Sequence, residues 1–408
     1  MNLPTFHRDN LISQLLIVFA FSIPWAKRAL PTLIAVIVLV ALLQLLRSKS
    51  FTFPKSPNAV FGLFSIYLLL LIGVVYSEHR DVAWNEIGMK FSFFIFPFLA
   101  LIVPGTSKED VGKMQRAFVA GCFLFIGITL THALYEIVEY HDFFYATYER
   151  LSWYIHPTYA AHYQAFALYV MTVMVIRGKY LFNRIYIHVI ATAVLLLFVV
   201  LLSSKAGYLT VLTVLFYGLA QALWAGVPKV RAMVVFFVAA SFFVFTIYKL
   251  PATSQRIENA VVDLKTAKDR IEQNDTSAAA GTSTHMRIVT WRASLAVLFE
   301  NPFGTGTGDT QDALNTTYLQ RDELFPAEKN LNAHNQFLQL GAELGWPGIL
   351  ALVFCLYSLF VAHGGDYTIR LFALLCALNF MFESVLETQA GIVFFSFWIF
   401  VYSRNRSD

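Results

Sequence analysis

His334-Asn335-Gln336-Phe337-Leu338-Gln339-Leu340-Gly341-Ala342-Glu343-Leu344-Gly345-Trp346-Pro347-Gly348 closes the one long polar segment of an otherwise apolar chain. Asn335, Gln339 and Glu343 recur every fourth residue, so a helix gathers them into one polar stripe. Phe337, Leu338, Leu340 and Leu344 cover the rest of its surface. Gly345 and then Pro347 stop that helix. The pattern predicts a half-helix, a break, and a new membrane helix from about Pro347. Broken helices at membrane depth persist where protein buries them or where they line a wet cavity. A histidine beside a polar stripe at such a break is a candidate active site.

Composition sets the frame around it. Of 408 residues, 57% are hydrophobic and only 14% charged, and the mean hydropathy is +0.60. That excludes an ordinary soluble domain. A net charge of +4 is too small to argue for a nucleic-acid partner. The first apolar run begins at Leu11 with no small-residue cleavage site after it, so no cleavable signal peptide is expected. Cys122, Cys355 and Cys376 all lie inside apolar runs and suggest no disulfide or metal framework. The histidines show no metal-ligand spacing, so neither a metal nor another cofactor is expected.

The fold class that follows is an all-α polytopic membrane protein with about twelve transmembrane helices. The candidate spans are 11–26, 29–46, 58–76, 87–103, 117–138, 159–176, 186–203, 207–225, 232–250, 335–362 with its break, 368–385 and 390–403. Residues 1–250 hold nine of them, 251–333 form one large external loop, and 334–408 hold the last three, the first of which is the broken helix. Fifteen Lys and Arg fall on one side of this layout and six in the short loops of the other. By the positive-inside rule both termini are cytoplasmic and 251–333 lies outside. Within that loop, Ile257, Val261, Leu264 and Ile271 predict an amphipathic helix at about 254–273. A small polar link, 274–284, leads to a second helix at about 285–300. Gly304-Thr305-Gly306-Thr307-Gly308 follows no strand and reads as a tight turn, not a nucleotide loop. The remaining polar connections collect on the same outer side, so function is expected there.

Several residues carry chemistry on that face, each with a plainer reading beside it. Lys205 stands between two apolar runs with almost no loop. It either snorkels to headgroups or is a fixed charge facing a cavity. Arg287 is either a solvated residue of an outer helix or, with Lys205 and Arg256, part of a cationic set suited to a doubly charged phosphate group. His334 either hydrogen-bonds within its loop or accepts the proton of a sugar hydroxyl. Glu343, Glu383 and Glu387 are either solvated helix ends or groups that orient the histidine or an acceptor sugar. The aromatic segment 140–159, with Tyr154 and His156, reads as an interfacial belt that can also stack on sugars.

These residues resemble the signature of the O-antigen ligase / O-antigen polymerase superfamily. His334-Asn335, Leu338, Glu343, Gly345 and Gly348 follow its histidine motif. Arg287-Ile-Val-Thr-Trp291 leading to Asn301-Pro302-Phe303-Gly304-Thr305-Gly306 is similar to a second motif, and Ser203-Ser204-Lys205-Ala206-Gly207 to a turn where the family commonly has Ser-Arg-x-Gly. The resemblance covers about residue 200 to the end, and the first half only in layout. It implies a GT-C-like glycosyltransferase of the bacterial inner membrane. The donor would be an undecaprenyl-diphosphate-linked glycan, and the acceptor lipid A–core or a related glycan, met at the periplasmic face. It further implies His334 as the catalytic histidine, Arg287 and Lys205 as diphosphate contacts, and a metal-independent, inverting reaction. Asn335, Gln339, Glu343, Glu383 and Glu387 would be supporting or acceptor-side groups. An O-antigen polymerase or a protein O-oligosaccharyltransferase fits the same motifs. A lipid-linked glycan transporter fits less well, because the polar residues gather at one face instead of running through the spans.

Overall fold

The computed structural model describes residues 9–48, 51, 53–250, 253–255, 257–259, 261–262, 283–361 and 367–404. Among them the chain is helical, with no strand. Each stretch expected to span coincides with a helix, except that 87–103 becomes two, Arg80–Met89 and Ser92–Ile102, bent by 41°. Among the described residues seven helices are long and apolar enough to cross a membrane, or eight if the bent pair is one span. Leu11–Ser22, Ile185–Leu201, Tyr367–Phe382 and Gln389–Ser403 are apolar but shorter. The expected amphipathic helix at 254–273 lies largely outside the described residues, as does Arg256. The second external helix runs Ser283–Glu300, and two short helices that periodicity did not suggest follow, Thr310–Leu319 and Leu324–Glu328.

The core is aromatic. Helix Gln389–Ser403 is buried from Gly391 to Ser403 and forms the centre of the bundle. Trp398 meets Phe118 edge-on at 5.7 Å and Phe166 at 5.1 Å, and Phe394 meets Tyr163 at 4.8 Å. Such pairs contribute roughly 0.5–1.5 kcal/mol each beyond the area they bury. Helix Lys229–Lys249 is the opposite case, with Val230, Val234, Val238 and Phe245 all exposed. An apolar face with no protein against it is what lipid solvates.

Both ends of the bundle are tied. At one, the Lys55 amide donates to Ser403 O at 3.0 Å and the Thr106 amide to Arg404 O at 3.0 Å. At the other lie His156, Lys205, Asn335, Glu383 and Thr388, all next to helix termini. Ser204 caps helix Lys205–Trp224 through Gly207 N, and Thr388 caps Gln389–Ser403 through Gly391 N.

The break at Gly345 forms as its sequence demands. Gly345 takes φ 68° and ψ −159°, inside what would otherwise be one helix, Gln336–Val361. A break strands carbonyls before it and an amide after it. The glycine-rich turn satisfies them. Thr305 N donates to Ala342 O at 2.9 Å, Gly306 N to Glu343 O at 3.1 Å, and Trp346 N to Pro302 O at 2.9 Å. A Cβ on Gly304 would lie 2.3 Å from Glu343 O, and one on Gly345 2.1 Å from Pro302 O. The turn that looks like a nucleotide loop is therefore a plug for a broken helix. Its far end is clamped as well: Asp309 accepts from the backbone amides of Glu78 and His79 at 2.8 and 2.9 Å.

Candidate active site

His334 sits in the left-handed region, φ 46°, in the turn just before its helix. Asn335 makes that turn. Its Oδ1 accepts from Phe337 N at 3.0 Å and Leu338 N at 3.1 Å, a helix cap, while its Nδ2 donates to Met381 O at 3.1 Å. Gln339 Oε1 accepts from Ala333 N at 3.0 Å, and Trp291 Nε1 donates to His334 O at 3.4 Å. The histidine's backbone is thus held from three sides.

Its ring is held by Glu383. His334 Nδ1 lies 2.9 Å from Glu383 Oε1. Arg287 completes the group: its Nε donates to Phe382 O at 3.0 Å and its Nη2 stands 3.6 Å from Glu383 Oε2. Glu383 is nearly buried, 6% exposed, whereas His334 keeps 27% and Arg287 20% of their side-chain surface. Burial works to raise the Glu383 pKa. The hydrogen bond with His334 and the positive charges of Arg287 and, where protonated, of His334 and His156 outweigh it and hold the carboxyl below its ordinary value. A charged carboxylate on Nδ1 favours the tautomer with its proton there, which leaves the Nε2 lone pair able to act as a base.

Lys205 approaches the same helix as Arg287. Its Nζ donates to Thr284 Oγ1 at 2.7 Å, about one turn before Arg287. It is also the first residue of helix Lys205–Trp224, so the positive helix end adds to its charge. His156 caps the next helix through Thr158 N and lies within electrostatic reach of Glu383, His334 and Arg287. Burial lowers its pKa, so it is a neutral neighbour at pH 7. Tyr159 Oη donates to Ser384 O at 3.4 Å, tying the His156 helix to the Glu383 turn.

The structure separates other residues from this group. Tyr154 packs edge-on against Phe125 at 5.5 Å, and its backbone carbonyl accepts from Lys27, so it faces the bundle interior. Glu343 and Glu387 do not touch His334. Both pair with Lys90, at 2.9 and 2.8 Å, and Glu86 stands 3.4 Å from the same ammonium. Lys90 is 1% exposed and occupies the bend between the two helices of the fourth apolar stretch. Sequence counting placed it among loop lysines; only its position between Met89 and the apolar run from Phe91 hints at burial. Gln336, two residues after His334, reaches the second cluster: its Nε2 donates to Glu387 Oε1 at 3.0 Å, and its Oε1 accepts from Leu386 N.

One comparison bears on this arrangement. Residues 190–353 match the family model described as O-antigen ligase. That segment is similar to the O-antigen ligase family. No curated protein matches it. Lys205, Arg287, His334 and Glu343 lie within the matched O-antigen ligase segment; Lys90, His156, Glu383 and Glu387 lie outside it. The match supports a ligase- or polymerase-type function in general, and with the apolar helices it points to a multi-pass membrane protein.

Proposed function

We propose that this protein transfers an undecaprenyl-diphosphate-linked glycan to lipid A–core, or a related acceptor, at the periplasmic face of the bacterial inner membrane. About twelve spans and cytoplasmic termini belong to this reading. The observation that carries it is the His334 Nδ1–Glu383 Oε1 contact of 2.9 Å with Arg287 on the other carboxylate oxygen. A buried carboxylate fixes a half-exposed imidazole, and a guanidinium stands beside it.

In the proposed reaction an acceptor hydroxyl gives its proton to His334 Nε2 while its oxygen attacks the anomeric carbon of the donor. The bond from that carbon to the diphosphate oxygen breaks, and the configuration inverts. The leaving diphosphate gains negative charge, which Arg287 and Lys205 neutralise in place of a metal ion; Arg256 would join them from the external loop. Glu383 stabilises the imidazolium formed. Asn335 and Gln339 hold the histidine turn. Glu343 and Glu387 support the site from a distance, through Lys90 and Gln336. His156 would border the sugars, and Tyr154 would act only through packing.

Purified protein supplied with the carrier-linked glycan and candidate acceptors, with and without chelator, tests this reading. Product on lipid A–core supports a ligase. Carrier-linked ladders would make it a polymerase, and modified protein an O-oligosaccharyltransferase. Abolition by chelator would contradict the metal-independent route.

A further inference from the structure

A cavity of about 460 Å³ is lined by Asp142, Tyr148, Glu149, Arg150, Ser203, Gln255 and Asn259. Two of its lining segments lead along the chain to residues near the catalytic group. One continues from Arg150 to His156, and the other from Ser203 through Ser204 to Lys205. From this geometry we infer that the cavity is a saccharide subsite that holds a short run of sugars from one of the two substrates. The inference rests on the transferase reading of the site.

The lining has the chemistry that hydroxyl-rich rings need. Carboxylates, amides and a guanidinium are planar groups that can each meet two adjacent hydroxyls. Tyr148 and Phe144 supply aromatic faces for the C–H face of a ring. Gln255 and Asn259 add two side-chain amides to the lining. Arg150 is pre-ordered: Nη1 donates to Asp142 Oδ2 at 2.7 Å, and its guanidinium lies 4.6 Å from the Tyr145 ring centre. Tyr148 holds φ 53°, a strained value for a tyrosine, and thereby turns the chain at the cavity rim. The volume falls within the range of small-molecule sites.

The charge of the described lining disfavours the diphosphate here. Among the described residues the one cation of the lining, Arg150, is already on Asp142, and Glu149 adds a further negative charge. The diphosphate stays with Lys205 and Arg287, and the neutral sugars extend away from it. Position 149 is exposed, while Cys122, Cys355 and Cys376 are all buried.

A Glu149→Cys variant of the full chain therefore carries one accessible thiol, and its maleimide labelling rate reports occupancy. The probes are glycan released from the source bacterium's carrier-linked donor, core oligosaccharide released from its lipopolysaccharide, and phospholipid vesicles. At least fivefold slowing by the donor glycan assigns the cavity to the donor; the same slowing by the core oligosaccharide assigns it to the acceptor. No slowing by either saccharide, or equal slowing by vesicles alone, overturns the proposal. In transfer assays, Glu149→Gln and Tyr148→Ala should each raise KM for the assigned substrate about tenfold, the loss lying in KM more than in kcat. If the parent protein transfers nothing yet saccharide still protects the thiol, the transferase reading falls and the subsite stands.

Discussion

Replacing Lys90 with Met removes the ammonium at the centre of three carboxylates while keeping an unbranched chain to fill its space. Nζ lies 2.9 Å from Glu343, 2.8 Å from Glu387 and 3.4 Å from Glu86. Each orphaned carboxylate must stay charged in a dry site or take up a proton. At pH 7 the proton costs about 1.4 kcal/mol for every unit above an ordinary glutamate pKa near 4.3, or about 3.7 kcal/mol. That is a ceiling per carboxylate, and it agrees with the roughly 3–5 kcal/mol lost when one partner of a buried ion pair is removed. Glu343, 2% exposed, should come close to the ceiling; Glu387 at 14% and Glu86 at 29% retain some water and add less. The expected destabilisation is therefore about 3–5 kcal/mol, read as a lower unfolding midpoint in mixed micelles. Adding Glu343→Gln should recover at least half of it, and lowering the pH to 6 should narrow the gap, because proton uptake becomes easier. A Lys90→Met protein within about 0.5 kcal/mol of the parent would refute the reasoning. So would a double variant no more stable than the single one.

Glu383→Gln should lower kcat by about 10²- to 10⁴-fold, because the amide neither fixes the Nδ1–H tautomer nor stabilises the imidazolium; a loss confined to KM would contradict this. The same residue shapes the acid limb of stability. With its pKa lowered in the folded state, Glu383 adds stability that is present above its unfolded value, near 4.3, and is lost as pH falls through the folded one. Acid unfolding should then be steeper in the parent than in Glu383→Gln, and equal slopes would count against the pairing. Gly345→Ala puts a Cβ 2.1 Å from Pro302 O at φ 68° and should cost more than about 2 kcal/mol in unfolding assays. Arg287→Lys keeps the charge but loses the fork, so KM for the carrier-linked donor should rise about tenfold; an unchanged KM would return Arg287 to a purely structural role.

Periodicity exposed the apolar helices, because a 3.6-residue apolar pattern and run length are local properties. The break at Gly345 was legible for the same reason: glycine and proline act on their own backbone. The partners of that break were not, since the turn at Gly304 is far along the chain and its amides look like any turn's. The polar stripe shows the limit most clearly. Spacing put Asn335, Gln339 and Glu343 on one helix face, and the structure gives each a different role. Asn335 caps its own helix, Gln339 receives Ala333 N, and Glu343 finds Lys90 in the bent fourth stretch. Lys90 itself escaped notice because a lysine at a helix bend has the same local sequence whether it snorkels or is buried. Only tertiary packing brings the carboxylates to it. Glu383 was visible as one of several acids near the last hairpin; its singular contact with His334 depends on the turn that Asn335 and Ser384 hold together, with Asn335 N donating to Ser384 Oγ at 3.2 Å.

The measurement that bears most directly on the site is the single-turnover rate of His334→Ala with pre-bound carrier-linked glycan and saturating acceptor. The account predicts that the donor still binds with near-parental affinity, held by Arg287 and Lys205, while the transfer rate falls at least a hundredfold. A His334→Ala protein that transfers at the parental rate would contradict the assignment of His334 as the base.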